Sequence, residues 1–138
     1  MKIFLKLFSL AIVASILFAS CSRTRDALGL DTINNQVKTG RWTVLYRDVY
    51  TPPSSTTSTK TDLLADGQYL KFESGVANVH NSDGTATSTS YSYSFTDTKT
   101  IVFAGTTYKI QENFVGTISK MTLVSEDATS KTVYTLQR

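Results

Sequence analysis

The amino-acid sequence predicts an all-β protein, an eight-stranded antiparallel up-and-down barrel. From residue 40 onward, apolar and aromatic residues alternate with Ser, Thr and charged residues, which is the pattern of strands with one buried face. Turn-forming residues interrupt this alternation at short intervals. Aromatic residues make up 11% of the chain, with only 7 Gly and 2 Pro, a composition typical of extracytoplasmic β domains.

The N-terminus has the pattern of an export signal. Lys2 and Lys6 form a basic head, and residues 7–19 form an apolar run. That run is too short for a spanning helix, which needs about 18 apolar residues. An ordinary signal has small residues one and three positions before the cut, and Phe18 fits that rule badly for a cut before Cys21.

Residues 18–22 resemble the lipobox of bacterial lipoprotein signals, which ends in a cysteine. The resemblance implies that Cys21 is the first mature residue, is acylated with chains such as palmitate, and attaches the protein to a membrane through its N-terminal lipid. No acidic pair follows Cys21, which by the same resemblance indicates an outer-membrane lipoprotein facing the periplasm. The alternative is a secreted protein cut near Ser20 or Ser22, in which Cys21 is incidental.

Three segments follow from this pattern: a signal peptide (1–20), a lipid-anchored tether (21–39) and a barrel domain (40–138). Removing Lys2 and Lys6 with the signal leaves 12 of the 14 Lys and Arg residues against 11 Asp and Glu, a formal charge of +1. The basic residues are scattered, so the sequence predicts no nucleic-acid partner.

The tether contains a possible short helix. Leu30, Ile33 and Val37 fall at helical spacing, Asp26 or Asp31 could cap the helix, and residue 40 is a glycine that could stop it. A disordered spacer with one helical turn is the alternative.

The first strand is predicted to place Trp42, Val44 and Tyr46 on one face and Arg47 on the other. Eight of the eleven residues 51–61 are Ser or Thr, which predicts a loop, and residues 62–67 could form one helical turn.

A meander with one apolar face buries that face by closing into a barrel. The alternative is a sandwich, which needs Greek-key crossovers. The eight predicted strands cover residues 40–49, 68–73, 76–80, 90–96, 100–104, 107–111, 120–125 and 131–137.

From residue 40 to 138 the chain resembles the lipocalin-like lipoproteins of Bacteroidetes-type bacteria. Gly40-Arg41-Trp42 matches the Gly-x-Trp that opens the first barrel strand of lipocalins, and residues 90–110 match the rhythm Tyr-x-Tyr, Ile-x-Phe-x-Gly, Tyr-x-Ile. The resemblance implies that Gly40, Trp42 and Arg138 close the barrel, with Arg138 packed across Trp42 in a cation–π contact of about 0.5–2 kcal/mol. About 100 residues make a smaller barrel than a full lipocalin.

The sequence offers no catalytic set. His80 is the only histidine, and a lone histidine near a strand end is typically a surface residue or one whose hydrogen bonds are made within the protein. Metal sites need clustered ligands, which one His and one Cys do not supply. Glu126 and Asp127 lie beside a predicted turn. We therefore predict a protein that is not an enzyme and has no metal or cofactor.

Tyrosines on the predicted inner face indicate an amphipathic barrel interior, because a buried tyrosine needs a partner for its hydroxyl. Such an interior suits a small hydrophobic or amphipathic ligand, although the same residues could fill a solid barrel. With a filled barrel, the alternative function is a non-catalytic protein-interaction module, such as an envelope-complex subunit or a hydrolase inhibitor, with an unknown protein partner. The candidate ligand-binding residues are Phe72, Tyr91, Tyr93, Phe103 and Tyr108.

Overall fold

The computed structural model describes residues 29–138, which form one helix and nine strands. The predicted all-β, up-and-down antiparallel architecture is confirmed, as is the short helix, and the strands number nine where eight were predicted. All neighbouring strands are antiparallel, in the order β2-β1-β9-β8-β7-β6-β5-β4-β3. The elements are α1 (Leu30–Lys38), β1 (Val44–Tyr50), β2 (Thr59–Asp62), β3 (Tyr69–Phe72), β4 (Val76–His80), β5 (Ala86–Asp97), β6 (Thr100–Phe103), β7 (Thr106–Ile110), β8 (Lys120–Glu126) and β9 (Lys131–Gln137).

The sheet curls into a half-barrel whose two edges meet at one point. Trp42, just before β1, donates its backbone N–H to Leu70 O at 2.9 Å, and the backbone N–H of Leu70 donates to Trp42 O at 2.8 Å. Farther along, β1 pairs with β2 instead, and no pairing joins β2 to β3. We call the end with Trp42 and α1 the closed end, and the end with the β4–β5, β6–β7 and β8–β9 turns the open end.

Strand β2 lies where the sequence predicted a loop. Residues 59–62 pair with residues 46–49 because the free edge of β1 offers unsatisfied backbone groups, and β-branched threonines suit a strand. The helical turn predicted for residues 62–67 is absent. The Asp62 carboxylate instead accepts the Leu64 N–H at 3.1 Å, which stabilises a local turn.

Helix α1 packs on the closed end of the barrel and so belongs with the domain that was predicted to begin at residue 40. Ile33 and Val37 are 0% exposed, and the Trp42 Nε1–H donates to Val37 O at 3.0 Å. The helix begins after Gly29 (φ 66°), which has no side-chain cap, whereas Asp31 lies in the first turn. The predicted export signal, the predicted lipidation site Cys21 and the predicted cap Asp26 lie outside the described residues. Within residues 29–138, no helix is long and apolar enough to cross a membrane.

Three hairpin turns are stabilised by aspartate carboxylates. Asp83 accepts the backbone N–H of Thr85 at 2.8 Å, and Asp97 accepts that of Lys99 at 2.7 Å. At the β8–β9 turn Asp127 accepts the N–H groups of residues 129 and 130 and the residue 129 hydroxyl. The predicted solvated turn at Glu126 and Asp127 is thus an exposed turn with a specific capping role for the aspartate.

These hydrogen bonds favour the ionised carboxylates, so the pKa values of Asp83, Asp97 and Asp127 are lowered from the usual 3.8. The largest causes are the Thr85 N–H, the Lys99 N–H and the residue 129 hydroxyl, respectively.

Unfolding should therefore become easier in acid. The stabilisation by these carboxylates is present above pH 3.8 and is lost as the pH falls from there through the lower pKa values of the folded protein. A triple Asp→Asn variant at 83, 97 and 127 keeps the acceptor oxygens and should show a flatter pH dependence of the urea midpoint below about pH 4. Asp66→Asn, at an exposed aspartate outside these turns, is the control and should follow the wild type.

Candidate functional site at the open end

The inner face of the half-barrel follows from strand register, because residues paired across strands share a face. At the closed end the first row joins Leu45, Leu136 and Met121, all 0% exposed. The second row joins Arg47, Tyr134 and Leu123, and the third joins Val49, Thr132 and Ser125. All three residues of the third row are half-buried, so this row lies close to solvent at the open end.

Arg47 therefore points into the barrel, contrary to the predicted first-strand alternation. Trp42 and Leu45 are both in the core although they are three residues apart, because Trp42 pairs with Leu70 before the regular β1–β9 register begins. The alternation of inward and outward side chains therefore shifts once between Trp42 and Leu45. As a result Tyr46 lies on the outer face, where Lys60 Nζ is 3.7 Å from its ring centroid.

Arg47 has no counter-charge among the described residues. Its Nε is buried without a hydrogen-bond partner. The one ion pair within residues 29–138 joins Lys71 and Glu73, both at the surface. A buried donor left without a partner costs about 1–3 kcal/mol of stability. Arg47 therefore brings a positive charge with no ion-pair partner among residues 29–138 into the half-barrel.

The five candidate ligand residues separate into two groups. Phe72 and Tyr93 contact each other at 4.9 Å (ring centroids) and lie near Trp42 at the closed end, where the Tyr93 hydroxyl donates to Glu73 O. Both belong to the packed core, as do Phe103 and Tyr108, so burial does not separate the two groups and only their contacts do.

The other three candidates, Tyr91, Phe103 and Tyr108, form one cluster with Tyr134. Tyr91 stacks on Phe103 at 5.2 Å, and Tyr134 packs edge-on against Phe103 and against Tyr108, each at 5.4 Å. Tyr91 is half-buried, whereas the other three are buried. We call these four residues the aromatic cluster.

The hydroxyls of Tyr91 and Tyr108 stay protonated near neutral pH. Burial raises the pKa of Tyr91 and of Tyr108 above the usual 10.0, and the neighbouring Tyr134 raises both further. The positive charge of Arg47 lowers both pKa values by a smaller amount. The arrangement combines one cation with neutral hydroxyl groups.

The closed end is sealed by a stacked cation. The guanidinium carbon of Arg138 lies 4.5 Å from the Trp42 ring centroid, and Arg138 also donates to Gln36 O in α1. Gly40 adopts φ 81°, and a Cβ there would lie 3.8 Å from the Arg138 side chain. Burial lowers the pKa of Arg138. The three residues that the lipocalin resemblance selected are therefore neighbours at this end.

His80 lies on the outer face and not in the barrel. Its ring stacks on Tyr69 at 5.3 Å, and its Nδ1 lies 3.1 Å from Gly84 O. The guanidinium of Arg41 covers the Tyr69 ring at 4.4 Å. No group of three or more metal-ligating side chains occurs within the described part of the chain.

Two clefts lie outside the barrel interior, and no candidate ligand residue lines either. One, of about 300 Å³, is bordered by Gln36 and Arg138, whose buried Oε1 and Nε atoms have no hydrogen-bond partners. The other, of about 340 Å³, is bordered by Gly29, Lys99 and Val115. Both clefts lie toward the α1 end of the molecule.

Comparisons with protein-family models, with curated proteins and with solved structures found no match for this chain. The interpretation of the site therefore depends on its own geometry.

The sequence analysis did not predict Arg47 as a site residue, and it left Tyr134 out of the set of candidate ligand-binding residues. The alternation of Leu45, Arg47 and Val49 was the signal that could have placed Arg47 inside.

Proposed function

We propose that this protein is a lipid-anchored envelope protein, a lipocalin-like lipoprotein of the outer membrane facing the periplasm, whose half-barrel binds a small amphipathic ligand at its open end. The observation that supports binding is that Arg47 pairs with Tyr134 of the aromatic cluster and has a buried Nε with no hydrogen-bond partner. Aromatic walls with a few polar groups are typical of small-molecule sites. The signal pattern of residues 1–22, with lipidation at Cys21, supports the location.

The position of α1 suggests how such a protein would stand on a membrane. Gly29 precedes α1 at the closed end and follows Cys21 by eight residues, which span at most about 28 Å when extended. A lipid on Cys21 would hold the closed end near the membrane. The open end with Arg47 would then face away from it.

The alternative function, a non-catalytic protein-interaction module, would be favoured by an exposed apolar patch of a few hundred Å². Among the described residues only two large apolar side chains are exposed, Val76 (37%) and Val115 (86%). Binding at the open end is therefore the function that the geometry supports better.

The full chain should carry a small molecule when it is extracted from its own envelope in lipid nanodiscs. Native mass spectrometry measures the extra mass. Thr132→Trp would fill the open end and should abolish it, whereas Thr135→Trp, on the outer face of the same strand, should retain it. A wild-type protein without added mass, or equal occupancy in both variants, would contradict the proposal.

A further inference from the structure

We infer that the open end contains a subsite for the carboxylate of a compact, partly aromatic acid, with Arg47 as the residue that binds it. This inference rests on the proposed function and names the chemistry of its ligand.

The single positive charge of Arg47 favours a ligand that carries a single negative charge. Arg47 extends from β1 into the interior, its Nε is buried without a partner, and no ion pair neutralises it within residues 29–138. A guanidinium presents donors in a planar fork that matches a carboxylate. One cation balances one carboxylate, whereas a doubly charged phosphate would remain half-compensated.

The hydroxyls around Arg47 suit an acceptor-only group. Tyr91 and Tyr108 keep their protons near neutral pH, so their hydroxyls can donate to a carboxylate oxygen. Both interact with the charge of Arg47, although they come from β5 and β7 on the other side of the barrel. Arg47, Tyr91 and Tyr108 therefore bring donors from three strands to the inner face of the half-barrel.

The packed core limits the size of the ligand. Below the row of Arg47 the inner face is filled by Leu45, Leu136 and Met121, all 0% exposed. A long alkyl tail would have no space there. The aromatic surface available to a ligand is that of the half-buried Tyr91, which stacks on the fully buried Phe103 and favours a flat, compact body.

Isothermal titration calorimetry on the full chain in nanodiscs tests the inference, with empty nanodiscs as the blank. The probes are 2-naphthoic acid and 2-naphthalenemethanol, which differ mainly in charge. We expect the wild type to bind the acid at least about tenfold more tightly than the alcohol, because only the acid can form a charge-assisted hydrogen bond with Arg47.

Arg47→Met should weaken binding of the acid about 10- to 100-fold and leave binding of the alcohol within about twofold. Arg47→Lys should retain part of the preference for the acid, since it keeps the charge without the fork. Arg41→Met removes an arginine on the outer face and should leave both affinities unchanged. The urea midpoint of Arg47→Met should equal or exceed that of the wild type, because a buried unpaired donor is removed.

Equal binding of acid and alcohol by the wild type, or unchanged acid binding by Arg47→Met, would overturn the carboxylate subsite. So would a lower urea midpoint of Arg47→Met with equal losses for both probes, since that identifies a structural role. Failure of both probes while a small molecule co-purifies with the wild type overturns the subsite alone. Failure of both probes with no co-purifying molecule overturns the proposed function as well.

Discussion

Replacement of Trp42 by Ala is expected to lower the free energy of unfolding by about 3–5 kcal/mol, the range for large aromatic truncations in a core. Trp42 is 0% exposed and packs edge-on against Phe72 at 5.9 Å. Its Nε1–H donates to Val37 O, and Arg138 covers its ring. The truncation would leave a cavity where the two sheet edges, α1 and Arg138 meet.

Urea titration followed by far-ultraviolet circular dichroism measures this loss without relying on tryptophan fluorescence. Thr43→Ala, at the exposed neighbour, is the control and should change stability by no more than about 0.5 kcal/mol. Trp42→Phe should lie between the two, because it keeps an apolar ring but loses the Nε1–H donor. A loss below about 1 kcal/mol for Trp42→Ala would remove Trp42 from the core and contradict the closed end described above.

Replacement of Ile33 by Ala is expected to lower the free energy of unfolding by about 2–5 kcal/mol. Ile33 is 0% exposed although it lies on a nine-residue helix outside the sheet. An isolated helix of this length is marginal in water, so α1 depends on this packing. Weakened docking would also disturb the bond from Trp42 Nε1 to Val37 O.

The control for Ile33→Ala is Thr32→Ala, at the exposed neighbour in the same helix. Because Ala has the higher helix propensity, this variant should be neutral or slightly more stable. Trp42 is the only tryptophan, so its emission in the native state reports the packing of α1 directly. A red shift is expected for Ile33→Ala and none for Thr32→Ala. Equal stability of the two variants would show that α1 does not contribute to the core.

Strands with strong alternation were predictable in type and position. The predicted ranges 76–80 and 131–137 are those of β4 and β9. In β9, Tyr134 and Leu136 both enter the core, so the periodicity of the sequence and that of the strand coincide, whereas β4 was placed by the turn residues on either side of it. Trp42 and Arg138 could be paired from the resemblance alone, and the guanidinium lies over the indole.

Strand β2 was not predictable because its residues carry little information about burial. Thr59 to Asp62 are mostly exposed, and no apolar alternation distinguishes them from the Ser- and Thr-rich loop before them. They are extended because the distal edge of β1 is free once Trp42 has paired with β3. Backbone pairing with the preceding strand β1, and not the pattern of side chains, decides the structure here.

By itself, the sequence determined the fold class and the order of eight of the nine strands, since local periodicity and turn residues specify them, and the resemblance to lipocalins selected the residues that seal the closed end. Only the tertiary structure decided that Arg47 lies inside the barrel and that Tyr134 joins Tyr91, Phe103 and Tyr108 beside it. The direction of Arg47 depends on the register of β1 against β9 and on the single change of face after Trp42. A shift of one residue reverses every side chain of a strand, and that register is set by contacts between segments distant in sequence.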